Sequence, residues 1–153
     1  MPPRGRAVSA AVGVAIEGTR IPISRARVAT IVRAVLTSEK QRDAMLSIAF
    51  VSDRVIRALN KRHLRRDRVT DVIAFGFRRT GRNAPLIGDV YIAPGVARAS
   101  AKANGVSIRE EIVRLIVHGV LHVIGYDHPE NDRTKSAMWR RQERLVARLS
   151  KTR

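Results

Sequence analysis

Residues 107–128 read Ser107-Ile108-Arg109-Glu110-Glu111-Ile112-Val113-Arg114-Leu115-Ile116-Val117-His118-Gly119-Val120-Leu121-His122-Val123-Ile124-Gly125-Tyr126-Asp127-His128, and they predict a buried helix that ends in a turn. Ser107 and Glu110 form a capping box, which satisfies the first orphan backbone donors of a helix and marks its start. Ile108, Ile112, Leu115 and Ile116 then recur at helical spacing as a stripe that faces a core. Glu111, Leu115, His118 and His122 line an adjoining stripe, which puts both histidines at the core's edge. Positions i and i+4 lie about 40° apart around a helix, one turn above each other. Imidazoles at 118 and 122 can therefore converge on one ion from a single face. Gly125 lets the chain leave the helix and swing back, so that His128 can add a third nitrogen. Three neutral imidazoles with an open fourth position describe a catalytic zinc site, not a closed structural one. The competing reading is a helical pair plus an unrelated loop histidine. Three of the chain's four histidines within eleven residues favour the metal.

The same spacing occurs in the zinc-protease helix H-E-x-x-H-x-x-G-x-x-H, whose glutamate is the general base. Here that position is Gly119, which cannot take a proton. A peptidase of that mechanism is disfavoured, while metal-assisted hydrolysis of another substrate stays open.

Composition narrows the substrate. Thirty Lys and Arg against thirteen Asp and Glu give a formal charge of +17, which points first to nucleic acid and second to an anionic membrane. Arginine makes up most of the excess, and its planar fork pairs bidentately with phosphate; a GC-rich genome would leave the same bias. Aromatic residues are scarce at 4%, which argues against a broad base-stacking sheet. The absence of cysteine excludes disulfides and thiolate ligands. Arg4 and Arg6 ahead of an Ala, Val and Gly stretch faintly suggest a signal peptide. Val12, Val14 and Ile16 alternate as in a strand instead. No run approaches the ~20 apolar residues of a membrane span. The expectation is a cytoplasmic protein with no membrane attachment and no dinucleotide cofactor.

At 153 residues the chain suits one domain over 7–153 behind a flexible basic tail over 1–6. Strands are expected over Ala7–Ile16, Ala44–Val51, Asp71–Phe77 and Gly88–Ile92. Ser24 caps a helix to about Ser38, and Ser52 or Asp53 caps a short one bearing Val55, Ile56 and Leu59. A highly basic loop follows over 60–70, holding the fourth histidine, His63, which reads as solvated first and as a phosphate contact second. Pro94 opens a helix to Asn104, and a last helix runs from about Asp132 to Leu149. This makes a mixed α/β domain of the α+β type, a roughly four-stranded sheet packed by about five helices.

The stretch His118–His128, H-G-V-L-H-V-I-G-Y-D-H, resembles the signature H-G-x-L-H-L-x-G-Y-D-H of the YbeY family, the bacterial metal-dependent endoribonucleases. Leu59-Asn60, Asp67, Thr70-Asp71-Val72-Ile73 and Phe75 are similar to that family's L-N…D-x-x-T-D-V-(I/L)-x-F segment. Ile87-Gly88-Asp89-Val90, Glu110-Glu111 and Met138…Glu143 also fall where the family has them. The resemblance covers about residues 44–147. It implies an α/β metallohydrolase fold with one zinc held by His118, His122 and His128. It further implies single-strand-specific cleavage in the maturation of the 16S ribosomal RNA 3′ end and in ribosome quality control, with the small ribosomal subunit as partner. Many members carry a catalytically important arginine four residues after the Leu-Asn asparagine. Here that position is Leu64, so Arg65 becomes the candidate for its role, and Arg62, Arg66 and Arg68 become candidates for RNA-backbone contacts.

Either water or the RNA 2′-hydroxyl could be the nucleophile. Asp127 is expected to orient an imidazole sooner than to accept a proton, and Tyr126 to sit in the core or at its rim. Asp71 and Asp89, read at strand starts, are turn partners that could edge a cleft. Two other function classes stand against the nuclease: a non-catalytic ribosome-assembly factor with a structural metal site, and an amidase or peptidase.

Overall fold

The computed structural model describes residues 9–127 and 136–151. In order these are β1 (Ser9–Ile16), α1 (Arg25–Ser38), β2 (Asp43–Phe50), α2 (Asp53–Leu64), β3 (Val72–Phe77), β4 (Leu86–Ile92), α3 (Pro94–Asn104), α4 (Ile108–Ile124) and α5 (Ala137–Leu149). The sheet order is β1-β2-β4-β3. β1, β2 and β4 run parallel, and β3 pairs antiparallel with β4 at the edge. This is the mixed four-stranded sheet with five helices that the sequence predicts.

Alternation builds the core. On β2, Ala44, Leu46, Ile48 and Phe50 are buried, and on β4 so are Leu86, Val90 and Ile92, since successive side chains of a strand point to opposite faces. Against that face lie Val28, Ile31, Val32, Val35 and Leu36 of α1 and Ile112, Val113, Ile116, Val117, Val120 and Leu121 of α4. Each such side chain contributes about 1.5–3 kcal/mol on burial. A smaller cluster of Val51, Ile56, Ile73 and Ala93 ties α2 to β3 and the start of α3.

α4 is the central element and touches β3, β4, α1, α3 and α5. Glycines set how closely it approaches the sheet. A Cβ on Gly119 would stand 2.4 Å from Val90 Cγ1, and one on Gly88 would stand 2.4 Å from Val123 Cγ1. The glutamate absent at position 119 therefore has a steric explanation, because that position is pressed against β4.

Several boundaries differ from the sequence reading, among them the start of β4, which lies at Leu86 instead of Gly88. α2 runs on through Asn60–Leu64, five residues read as loop. Those residues carry no apolar period. They are helical because Arg65 closes the helix in the left-handed region (φ 55°) and Lys61, Arg62 and His63 complement the helix dipole. Consequently His63 is not in a loop: its ring meets Phe75 edge-on at 5.1 Å. α5 begins at Ala137, with Ser136 accepting from the Trp139 backbone N–H at 3.0 Å; the expected start at Asp132 lies outside the described residues. The tail over 1–6 lies outside the described residues. Among the described residues, no helix is long and apolar enough to cross a membrane.

Candidate metal centre and adjoining cleft

α4 carries His118 and His122 to its C-terminal half, where their rings stand 4.7 Å apart between centroids at an interplanar angle of 77°. Both are half-buried. The helix ends as expected: Gly125 takes φ 123°, and the Tyr126 backbone N–H reaches back to the Leu121 carbonyl at 3.0 Å. His128, the third expected ligand, lies outside the described residues.

The His118 ring is held from behind. Its Nδ1 lies 2.7 Å from Oε1 of Gln142, a buried side chain of α5. Gln142 Nε2 in turn donates to Glu143 Oε2 at 3.2 Å. With the amide hydrogens facing Glu143, the amide oxygen is the atom left for His118, and it can only accept. That fixes the proton on Nδ1 and makes Nε2 the nitrogen able to ligate. An outer partner of this kind is the usual companion of a metal-binding histidine. The donor set thus fits a transition metal, with Nε2 of His118 supplied in the correct tautomer and a second imidazole one turn away.

Behind Gln142, Glu143 receives Arg114 through Nε at 3.0 Å and Nη2 at 2.9 Å. Arg114 Nη1 donates to the buried Glu111 at 3.0 Å, and Nη2 to Glu110 at 3.4 Å. The hydrogen bond to Glu143 raises the Arg114 pKa furthest, outweighing the lowering effect of burial. Glu110 spends its carboxylate here, while its backbone N–H still donates to the Ser107 cap at 3.0 Å. On the other side of the helix end, the Tyr126 hydroxyl donates to Glu39 at 2.8 Å, which raises the tyrosine's pKa. Arg141 pairs with the same carboxylate and donates to the Ser38 hydroxyl at 2.7 Å. Tyr126 is thus a rim residue tied to α1 and α5, as read.

A cleft of about 440 Å³ opens beside His118, between the start of β3 and helices α3, α4 and α5. Asp71, Ser100, Asn104, Arg114, Trp139 and Gln142 are among its walls. Asp71 edges the cleft, as the sequence suggested. Asp89 does not line it and sits in the middle of β4, opposite Phe75 and Ser47, not at a strand start. Arg62, Arg65, Arg66 and Arg68 are exposed and line no part of it. Their loop is nevertheless built: buried Asn60 donates to the Arg68 carbonyl at 2.9 Å, and the Arg66 N–H returns to the Asn60 carbonyl. Asp67 is bound by Arg57 at 2.8 Å, whose hydrogen bond and charge lower its pKa. Sequence reasoning missed Gln142 and Trp139 as site residues, since only the packing of α5 on α4 brings them to position 118.

An α/β domain with a helix-borne histidine pair beside a cleft is the class that fold and site define, and comparison makes it specific. Residues 14–150 match the family model described as endoribonuclease YbeY. The chain belongs to this endoribonuclease family, hydrolases acting on RNA. It is 35% identical over 121 residues to the endoribonuclease YbeY of Sulfurihydrogenibium sp., covering 78% of this chain and 80% of that one. It is 31% identical over 138 residues to that of Geobacter metallireducens, covering 88% and 92%. The solution structure of TM1509 from Thermotoga maritima superposes with a TM-score of 0.60 at 23% identity, over 90% of this chain and 88% of that one, a likeness of fold.

Proposed function

We propose that this chain is a zinc-dependent, single-strand-specific endoribonuclease of the cytoplasm that acts in 16S ribosomal RNA 3′-end maturation and ribosome quality control on the small ribosomal subunit. The observation that carries the metal reading is the His118–Gln142 contact, which presents Nε2 beside His122. His118, His122 and His128 would hold the ion. Zinc, when bound, supplies Lewis acidity toward a phosphodiester or its nucleophile. Nickel, copper and iron also suit imidazole ligands, so metal analysis of untagged protein decides the element.

The chain's own residues supply the rest. Arg62, Arg66 and Arg68 would hold the RNA backbone through charge-assisted bonds to phosphate. Arg65 would stabilise the charge that develops on phosphorus, in place of the arginine that Leu64 replaces. Asn60 fixes the loop that carries these residues, and Gln142 sets the His118 proton.

The test is cleavage of single-stranded and duplex RNA by wild type and His118→Ala, with and without chelator. We expect cleavage of the single strand only, lost in the variant and after chelation, and restored by added metal. Activity that survives chelation would sink the metal reading. Association with small subunits without any cleavage would favour an assembly factor instead.

A further inference from the structure

We propose that the cleft beside His118 is a nucleobase subsite that takes a guanine of the RNA substrate, with Trp139 as its stacking surface and Asp71 as the acceptor for the guanine N–H edge. The proposal rests on the endoribonuclease reading and specifies which base sits next to the cutting site.

Size and shape come first. At about 440 Å³ the cleft lies within the range of small-ligand sites. Its wall contains the only tryptophan of a chain with few aromatic residues. Trp139 is half-buried on the first turn of α5, held there by Ser136. Its indole N–H makes no hydrogen bond among the described residues. Unstacked bases of single-stranded RNA are commonly received on such a ring.

Charge then separates base from phosphate. Among the described residues, the cleft is walled by the carboxylates of Asp71, Glu111 and Glu143 and by one cation, Arg114. That cation is already engaged by Glu110, Glu111 and Glu143. Against these walls a phosphate would meet net negative charge, whereas a group rich in N–H donors would be welcome. Glu111 and Glu143 spend their oxygens on Arg114. The Asp71 carboxylate carries no hydrogen bond or ion pair among the described residues; only its backbone carbonyl is used, by Ala93. A free carboxylate has two acceptor atoms side by side. Guanine alone among the RNA bases offers two adjacent N–H donors on its Watson–Crick edge. Asn104 and Ser100 add amide and hydroxyl groups at the same walls. The basic loop over 65–68 leads directly into Asp71, so the backbone of the same nucleotide can follow the arginines while its base turns inward.

Because Trp139 is the sole tryptophan, intrinsic fluorescence of the full chain reports on this wall directly. The probes are GMP, AMP, CMP and UMP, with ribose 5-phosphate as a base-free control, excited on the red edge of indole absorption where nucleotides do not absorb. GMP should quench saturably and bind about 10-fold more tightly than UMP, the discrimination of one bidentate contact. Ribose 5-phosphate should leave the signal unchanged. Asp71→Asn should keep the quenching and lose the preference for GMP. Trp139→Ala should retain metal and shift cleavage of a mixed-sequence RNA away from sites next to guanine. Equal quenching by ribose 5-phosphate, or no preference among the four nucleotides, overturns the proposal. A protein that cleaves RNA without saturable quenching refutes the subsite and leaves the nuclease reading standing. Quenching by GMP without any cleavage does the reverse.

Discussion

Gln142 does its work through one oxygen atom. It is buried, so replacing it by an apolar residue of similar size leaves packing nearly intact while removing the acceptor that fixes the His118 tautomer. Gln142→Leu should weaken metal retention about 10–100-fold, the usual cost of losing an outer partner, as read by competition with a graded chelator. A fold-only role for Gln142 would leave retention unchanged while lowering the unfolding midpoint. Gln142→Glu keeps an acceptor in place and should recover most of the affinity. The histidine pair itself was legible from its spacing, because periodicity on one helix is a local property. Gln142 was not, since 24 residues separate it from His118 and no local rule pairs them. Position 119 was read chemically, as a missing base. Its packing against Val90 is a tertiary fact that a single sequence does not display.

At the scale of elements, α4 and α5 are joined by Arg114 as much as by apolar contact. Arg114→Met would leave the buried Glu111 without its cation, which costs about 3–5 kcal/mol when one partner of a buried pair is removed. Urea unfolding should show the free energy of unfolding falling by that amount, through a lower midpoint with little change in slope. If the loss is below about 1 kcal/mol, the pair behaves as a surface contact. The α2 end offers a separate trial. Arg65→Ala should slow single-turnover cleavage at saturating RNA, because charge stabilisation acts on the transition state. Wild-type rates in that variant would assign the positive charge to the metal or to another arginine. The starts of α1, α2 and α4 were readable, as Ser24, Ser52 and Ser107 each accept a first-turn N–H; the Ser136 cap of α5 was not. The end of α2 was not readable. Its last turn is entirely polar, and what closes it is a non-glycine residue in the left-handed region.

For the molecule as a whole, the +17 charge makes ionic strength the main control of RNA affinity. Each phosphate contact should contribute a slope of about 0.7 in the logarithm of affinity against that of salt for a single strand. Arg66→Ala and Arg68→Ala should each flatten that slope by one contact and leave turnover of bound RNA nearly intact; an unchanged slope would mark the loop as solvated. The fold class was legible because strands and helices alternate with strong periods, and β3 was the one strand whose antiparallel direction no pattern announced. The close seat of α4 on the sheet, made possible by Gly88 and Gly119, also bears on what this scaffold could become. Converting the histidine helix to peptide hydrolysis would take more than one exchange. A glutamate at 119 requires Val90 to shrink first, and shrinking Val90 opens a hole in the core before any new activity exists to compensate. Each single step is a loss, so the two glycines act as a ratchet that keeps the site from drifting toward the chemistry its spacing resembles.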